Sequence, residues 1–191
     1  MKSTKLQKTI LSAVLILALP AAQAGEWTGN FSGYLGQKSL NDNDWPQHDK
    51  QSSVGLLFDM KPANWPVSIA FDAFGTGDED KSGLVKQEAY TAEGHLGIRK
   101  IFDLSGSLIR PYIGGGVAFV YAEEKDNSSG ATRSDDDTGA GAWVGGGLYA
   151  NLTTHFNLGL DVRYSGAETT VFGNDREAGG LNAGVSAGYH W

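Results

Sequence analysis

The last fourteen residues of the chain, AGGLNAGVSAGYHW, alternate strictly between two kinds of side chain. Counting back from Trp191 to Leu181, every second residue is apolar, and the residues between them are polar or glycine. A period of two over about a dozen residues is typical of a β-strand whose two faces meet different surroundings. Strands in globular proteins usually run for about five or six residues. This longer strand instead suits a lipid bilayer, which a tilted strand crosses in about 9–11 residues.

Residues 1–24 show the three-part pattern of a secretory signal peptide. Three lysines form a basic head, Ile10 to Leu19 is almost purely apolar, and Ala22-Gln23-Ala24 forms a small-residue cleavage pattern before Gly25. The apolar run is too short for a membrane-spanning helix, which takes about 20 residues. An uncleaved N-terminal anchor is the alternative. We therefore expect a cleaved signal peptide followed by one exported domain, residues 25–191.

Composition narrows the class of protein. Removing the predicted signal peptide leaves 12 basic and 22 acidic residues, a net charge of −10. Proteins that bind nucleic acid usually carry a basic face, so this balance argues against a nucleic-acid partner. The chain has no cysteine, so the exported domain does without disulfide bonds.

Eight segments share the period-two pattern of the C-terminal strand. Seven of them have an apolar face and a polar face, whereas the sixth is the least decisive because it is mostly glycine, alanine and aromatic residues. Together they predict an all-β fold, an eight-stranded antiparallel up-and-down transmembrane β-barrel with apolar residues facing lipid. The segments are 26–40, 52–61, 65–76, 87–100, 109–123, 138–151, 157–165 and 178–191.

A soluble eight-stranded barrel of the lipocalin type is the alternative fold. It makes the opposite prediction, because its apolar face points inward to a ligand cavity and its polar face meets water. The alternation of long and short connections favours the membrane barrel, with the long connections outside the cell and the short ones in the periplasm. The predicted long connections are 41–51, 77–86, 124–137 and 166–177, and the short ones are 62–64, 101–108 and 152–156.

Three stretches carry a family resemblance: RPYIGGGVAF at 110–119, NLTTHFNLGLDVRYS at 151–165, and the closing GVSAGYHW. They resemble the small outer-membrane β-barrel superfamily, which includes the OmpA transmembrane domain, the OmpX/Ail group and the opacity proteins. The resemblance implies location in the bacterial outer membrane, with membrane lipid and lipopolysaccharide as surroundings. The aromatic end of the chain, with Tyr189 and Trp191, resembles the signal that the barrel assembly machinery recognises.

Ionisable residues on the predicted inner faces are the first candidate functional site. Eight strands leave an interior just wide enough for side chains to fill, so charges of both signs should pair there. Such a network would either plug the barrel or, as the resemblance to OmpA-type barrels implies, act as the gate of a low-conductance pore. The predicted network consists of Asp59, Asp72, Glu93, His95, Arg99, Arg110, Asp161 and Arg163.

Two glycine triplets, 114–116 and 145–147, are the least ordinary feature of the strands. If the hairpin between them is centred between Gly130 and Ala131, Gly115 faces Gly146 and the triplets lie side by side. Glycine there would relieve bending strain in a tight barrel. The alternatives are a smooth groove for a lipid chain, or room in the interior for Trp143 or Tyr149.

The predicted outer connections are each net acidic, which favours a structural or surface-interaction role with an extracellular protein partner. None of the acidic clusters completes a calcium-binding EF-hand loop, so we predict no metal site and no cofactor. A lipid A-modifying enzyme is a further alternative, and His48 is the one histidine placed for it. We predict no catalytic residues. The clusters are Asp42, Asp44 and Asp49, then Asp78, Glu79 and Asp80, then Asp135, Asp136 and Asp137.

Overall fold

The computed structural model describes residues 27–40, 50–82, 85–126, 133–171, 174–177 and 179–191. The predicted signal peptide, His48 and the first acidic cluster, Asp42, Asp44 and Asp49, lie outside these residues. Within them, no helix has the length and apolar character needed to cross a membrane.

The described residues form antiparallel strands that close into a barrel. Each strand pairs with the next from β1 to β7, and β9 then pairs with both β7 and β1. The short strand β8 pairs only with the outer end of β7. Eight strands thus make up the barrel, as predicted. The strands are β1 (Trp27–Ser39), β2 (Lys50–Pro62), β3 (Ser68–Ser82), β4 (Val85–Ile101), β5 (Ile109–Asp126), β6 (Arg133–Asn151), β7 (Phe156–Val171), β8 (Asn174–Glu177) and β9 (Gly180–His190).

The outside of the barrel is apolar and the inside is mostly polar. Ile98, Leu160 and Val185 are 55%, 53% and 54% exposed, although large aliphatic side chains in a soluble monomer are rarely left exposed as a continuous surface. The residues between them along each strand point inward and are buried. A lipid-facing apolar band around a polar interior is the arrangement of a membrane barrel. The soluble-barrel alternative is therefore wrong.

The predicted outer connections 77–86, 124–137 and 166–177 are wrong, because most of their residues lie in strands. β3 continues to Ser82 and β4 begins at Val85, while β5 and β6 extend to Asp126 and from Arg133. The apolar face that defines the period-two signal stops where the strands leave the lipid. Beyond that point the strands still pair, but their sequence is mostly polar and lacks the strict alternation, so it is not distinguished from that of a loop.

The predicted register of the β5–β6 hairpin is also wrong. Gly115 faces Val144 rather than Gly146, and the triplets meet only where Gly114 faces Gly145. The hairpin is centred one residue earlier than predicted, which shifts the pairing by two residues. Because side chains alternate with a period of two, this shift leaves every residue on its predicted face.

The barrel closes at a seam where its first strand, β1, pairs with its last strand, β9. Gly29 and Trp191 exchange two backbone hydrogen bonds, each 3.1 Å between nitrogen and oxygen. Tyr189 is half exposed on the outer face, where its ring stacks on His155 with centroids 5.1 Å apart. The terminal aromatic residues therefore complete the hydrogen-bonded closure at the end of the barrel with the short turns.

Candidate functional site

Eight ionisable side chains form a charged cluster inside the barrel, and none is more than 4% exposed. Seven of them belong to the network predicted from the sequence, and the eighth is Lys38. Leaving one such charge unpaired would cost several kcal/mol, so their partners decide what the cluster can do. The charged cluster consists of Lys38, Asp59, Asp72, Glu93, His95, Arg99, Asp161 and Arg163.

Asp72 on β3 joins the two guanidinium groups of the cluster. Arg99 and Arg163 both donate to Asp72 Oδ2, at 2.7 and 2.6 Å. Arg99 comes from β4 and Arg163 from β7, so this one carboxylate links strands on different sides of the interior. Its other oxygen accepts a hydrogen bond from the backbone nitrogen of Phe58 at 3.2 Å.

Each arginine also has a carboxylate of its own. Arg99 donates to Asp59 at 2.9 Å, and Arg163 binds Asp161 through two hydrogen bonds of 2.7 Å each. A two-point guanidinium–carboxylate contact is among the stronger hydrogen-bonded ion pairs in proteins. Tyr112 donates to the second oxygen of Asp161 at 2.5 Å, so both oxygens of this carboxylate are occupied.

A second group of contacts centres on Glu93 of β4. Its carboxylate pairs with Lys38 and accepts hydrogen bonds from Ser165 at 2.9 Å and His95 at 2.8 Å. The other ring nitrogen of His95 lies 3.4 Å from Arg163 Nη1, which can only donate. His95 thus lies between Glu93, on its Nε2 side, and Arg163, on its Nδ1 side.

Arg110 does not belong to the charged cluster, contrary to the prediction. Its Nε donates to Asp103 at 2.6 Å, and the two side chains are 23% and 68% exposed. Arg110 is the second residue of β5, so although its position in the alternation is inward, the strand has only just entered the barrel. Tyr112, two residues further along, is the first residue on that face to be buried.

Four partners of the charged cluster were not predicted from the sequence. Lys38 and Tyr112 lie on faces that the alternation marks as inward. Lys38 could have been included in the predicted network, because every charged residue on an inward face needs a partner of opposite charge. Ser165 is two residues after Arg163 and therefore lies on the same inward face of β7. Tyr149 donates to Asp59 at 3.3 Å from β6, whose glycine-rich alternation shows no clear inner face.

Inward-facing glycines of the two triplets make room for aromatic side chains. A methyl group on Gly114 would lie 3.0 Å from Trp143, and one on Gly147 would lie 2.6 Å from the Tyr112 hydroxyl. One predicted role of the triplets is to leave interior room for Trp143 or Tyr149. Beside these glycines, that room holds Trp143 and Tyr112. The glycines have a packing role at these positions.

The histidines in the described ranges show no arrangement for nucleophilic catalysis. His95 contacts Glu93 and Arg163 rather than a serine hydroxyl, and Ser165 donates to Glu93. His95 is therefore not placed to take a proton from Ser165, as the histidine base of a serine nucleophile would be. No group of three histidine, aspartate or glutamate side chains in the same ranges could hold a metal ion.

A four-stranded sheet continues β3, β4, β5 and β6 beyond the apolar band. Its register runs without interruption to Ser82↔Val85 in one hairpin and to Asp126↔Arg133 in the other, and β4 pairs with β5 up to Gln87↔Asp126. We call this region the outer sheet; it consists of 77–82, 85–90, 121–126 and 133–138. It contains ten acidic and four basic residues, a net charge of −6.

Comparison with known proteins agrees with this architecture. The model of the outer membrane protein beta-barrel domain matches residues 9–190. No curated protein gives a significant match.

Three solved structures share the fold at low sequence identity. Ail of Yersinia pestis, in complex with the heparin analogue sucrose octasulfate, gives a TM-score of 0.62 at 14% identity, covering 87% of this chain and 99% of Ail. OprG of Pseudomonas aeruginosa gives 0.56 at 16% identity, covering 88% and 96%. Neisserial surface protein A gives 0.54 at 16% identity, covering 86% and 95%. With the family model spanning nearly the whole chain, this protein belongs to the outer membrane protein beta-barrel domain family and is located in the bacterial outer membrane.

Proposed function

We propose that this protein is a non-catalytic surface-interaction protein whose outer sheet binds a cationic partner outside the cell. The observation that carries the proposal is the outer sheet itself, which adds about six residues to each of four paired strands and carries a net charge of −6. Short turns at the other end of the barrel, at 63–67 and 152–155, support an extracellular position for the long hairpins.

The register of the outer sheet supports a partner of positive charge. Glu79 lies opposite Glu88, and Glu123 lies opposite Asp136. The same register also sets Lys125 opposite Glu88 and Arg133 opposite Asp126, so the support comes from the net charge of the outer sheet and not from single pairs. A concentration of one sign of charge also attracts oppositely charged partners and speeds their association.

Electrostatics also argues against the type of ligand that the Ail structure contains. Sucrose octasulfate is a polyanion, whereas the outer sheet of this chain is net negative. Lipopolysaccharide phosphates would likewise need bridging divalent cations, which bind carboxylate oxygens. The proposed partner is therefore a basic protein segment, with cation-bridged lipopolysaccharide as the competing outcome of the test.

The charged cluster supports a structural role for the interior. Asp72 is shared by both arginines, and each arginine also has a carboxylate of its own, so the ion pairs tie β2, β3, β4 and β7 together. In an eight-stranded barrel such a network fills the space between the strands and holds them in place. We propose that it plugs the barrel and keeps the frame of the outer sheet rigid.

Binding of an oligolysine peptide to the refolded protein in nanodiscs tests the surface proposal. We expect binding that weakens as salt rises, and no binding of sucrose octasulfate. The triple variant Asp135→Lys/Asp136→Lys/Asp137→Lys should weaken oligolysine binding most, and Asp136→Lys less. Binding only in the presence of Ca²⁺ and lipopolysaccharide, or retention of sucrose octasulfate, would refute the cationic-partner proposal.

A matched control is available at the opposite end of the barrel. Asp103 lies in the turn after β4 and is 68% exposed, so Asp103→Lys makes the same change in net charge as Asp136→Lys. Asp103→Lys should leave oligolysine binding unchanged. If both variants weaken binding equally, total charge rather than the outer sheet is responsible.

We also propose that Tyr189 and Trp191 serve as the signal for the barrel assembly machinery. The closure of the seam by Trp191 and Gly29 supports this, because the last strand must be held until the first strand reaches it. Trp191→Ala should slow barrel insertion in cells more than it lowers the stability of refolded protein. Equal effects on both would leave Trp191 with a purely structural role.

A further inference from the structure

The turn between β2 and β3, residues 63–67, is held by lysines from two different strands. Lys61, near the end of β2, donates from Nζ to the backbone oxygen of Trp65 at 3.1 Å. Lys100, near the end of β4, donates from Nζ to the backbone oxygen of Pro66 at 2.8 Å. β3 lies between these two strands in the sheet. Because consecutive carbonyl groups accept from them, the two ammonium groups are brought together at one turn.

The positive charge at this turn is not balanced by the protein. Within the part of the chain that the structure describes, neither Lys61 nor Lys100 forms an ion pair, whereas Arg110 at the same end of the barrel is paired with Asp103. An ammonium group has three N–H donors, so each lysine keeps up to two after its bond to the turn. Like charges held together repel each other, and a bound anion would offset that repulsion.

The surface beside the two lysines is apolar and exposed. Trp65, in the turn itself, is 49% exposed. Lys100 follows Ile98 on the outward face of β4 and lies opposite Ile113 of β5, and both isoleucines are more than half exposed. Ile69 of β3 lies opposite Ile98 and is also exposed. Lys100 is therefore placed where the apolar band of the barrel ends.

This combination fits a phospholipid better than a soluble anion. The acyl chains of a lipid would lie along the exposed isoleucines, and its phosphate would reach the ammonium groups of Lys61 and Lys100. The Trp65 ring would lie at the level of the headgroup, where tryptophan is enriched in membrane proteins. A soluble anion would contact the ammonium groups alone and leave the apolar surface without a partner.

We infer that Lys61, Trp65 and Lys100 form a binding site for the headgroup of an anionic phospholipid in the leaflet on the side of the short turns. A zwitterionic headgroup carries a cation of its own, which the two lysines repel. The site should therefore prefer phosphatidylglycerol to phosphatidylethanolamine. It lies at the opposite end of the barrel from the outer sheet and does not depend on the cationic partner proposed there.

Native mass spectrometry of the refolded protein tests this inference, with phosphatidylglycerol and phosphatidylethanolamine of identical acyl chains as probes. The wild-type protein should bind phosphatidylglycerol more tightly. A lysine near an anionic lipid surface contributes about fivefold to affinity, so Lys100→Gln should weaken phosphatidylglycerol binding by about that factor and leave phosphatidylethanolamine binding unchanged. Adding Lys61→Gln should weaken it further. Equal wild-type affinities, or an unchanged preference in the folded, heat-modifiable double variant, would overturn the proposal.

Lys50 provides the matched control for charge. It is exposed at the start of β2, at the outer end of the barrel, so Lys50→Gln makes the same change in net charge as Lys100→Gln. It should leave phosphatidylglycerol binding unchanged, and an equal loss in both variants would overturn the assignment of the site. Lys100→Arg keeps the charge and should keep the preference.

Two further measurements separate the parts of the site. Trp65→Ala should weaken binding of both lipids by the same factor, because the indole does not distinguish their charge. Glycerol 3-phosphate, which has the phosphate but no acyl chains, should not bind. Binding of glycerol 3-phosphate as tight as that of phosphatidylglycerol would refute the lipid assignment.

Discussion

The charged cluster and the seam occupy the same barrel interior but satisfy their polar groups in different ways. In the charged cluster, side chains from different strands bind one another directly, and Asp72 alone accepts from both arginines. Along the seam, five buried polar atoms have no partner within the described residues, and two more lie on the adjacent inner face of β2. The first arrangement specifies how the strands are placed, whereas the second leaves hydrogen-bonding capacity for water.

The sizes of the side chains follow the same division. Arg99, Arg163, Trp143 and Tyr149 fill the side of the charged cluster, and Arg163 lies 4.5 Å from the centre of the Phe74 ring and 5.4 Å from that of Trp143. On the seam, glycine and serine occupy most inward positions of β9. The comparison predicts that substitutions on the charged side lower the free energy of unfolding more than substitutions on the seam do.

Arg163→Ala should have the largest effect on stability. It leaves Asp161 buried without a cation and takes one of two guanidinium groups from Asp72. Removing one partner of a buried ion pair costs about 3–5 kcal/mol, so the free energy of unfolding should fall by about that amount. Urea unfolding in lipid vesicles, followed by tryptophan fluorescence, measures it. An unchanged midpoint would mean that water reaches Asp161 and that the cluster is not a plug.

Asp72→Asn should have a smaller effect. The amide oxygen can still accept from one arginine, and both arginines keep a second carboxylate, Asp59 or Asp161. Hydrogen bonds to charged groups contribute about 1.5–3 kcal/mol, and we expect a loss of unfolding free energy in that range. A loss as large as that of Arg163→Ala would show that the shared Asp72 carboxylate contributes more to stability than the two-point contact between Arg163 and Asp161 does.

Much of the fold follows from the sequence because a strand repeats its environment every second residue. That rule alone is enough to place Asp59, Asp72 and Arg163 inside the barrel. It fails for Arg110, because alternation gives the direction of a side chain but not how far the strand has entered the barrel. It also fails where β3 to β6 continue beyond the apolar band, because the sequence there is mostly polar and no longer alternates strictly.

Which inward residues meet each other could not be predicted from alternation. Arg163 and Asp72 are 91 positions apart and come from strands that are not neighbours, so their contact depends on barrel curvature and strand stagger. A single-residue change in the centre of one hairpin shifts the register by two, which alternation cannot detect. The β5–β6 glycines show this, since Gly115 faces Val144.

Gly147→Ala tests how tightly the charged side is filled. A methyl group there would overlap the backbone oxygen of Leu160 and approach the Tyr112 hydroxyl to 2.6 Å. Overpacking of this kind costs about 1–3 kcal/mol, and the unfolding free energy should fall accordingly. Gly94→Ala is the control, because nothing lies within 4 Å of its added methyl group. Equal losses in the two variants would point to the strand backbone rather than to packing.

Asn182→Leu should have the smallest effect on stability and so gives the sharpest contrast with Arg163→Ala. Both amide atoms of Asn182 are buried without a partner among the described residues, and leucine has a similar volume. Replacing unsatisfied polar atoms by apolar atoms of the same shape is nearly neutral or stabilising, so the free energy of unfolding should change by less than about 1 kcal/mol. The same urea unfolding measurement applies. A loss comparable with that of Arg163→Ala would mean that Asn182 is bound to ordered water essential for the fold, and the division between the charged cluster and the seam would then not hold for stability.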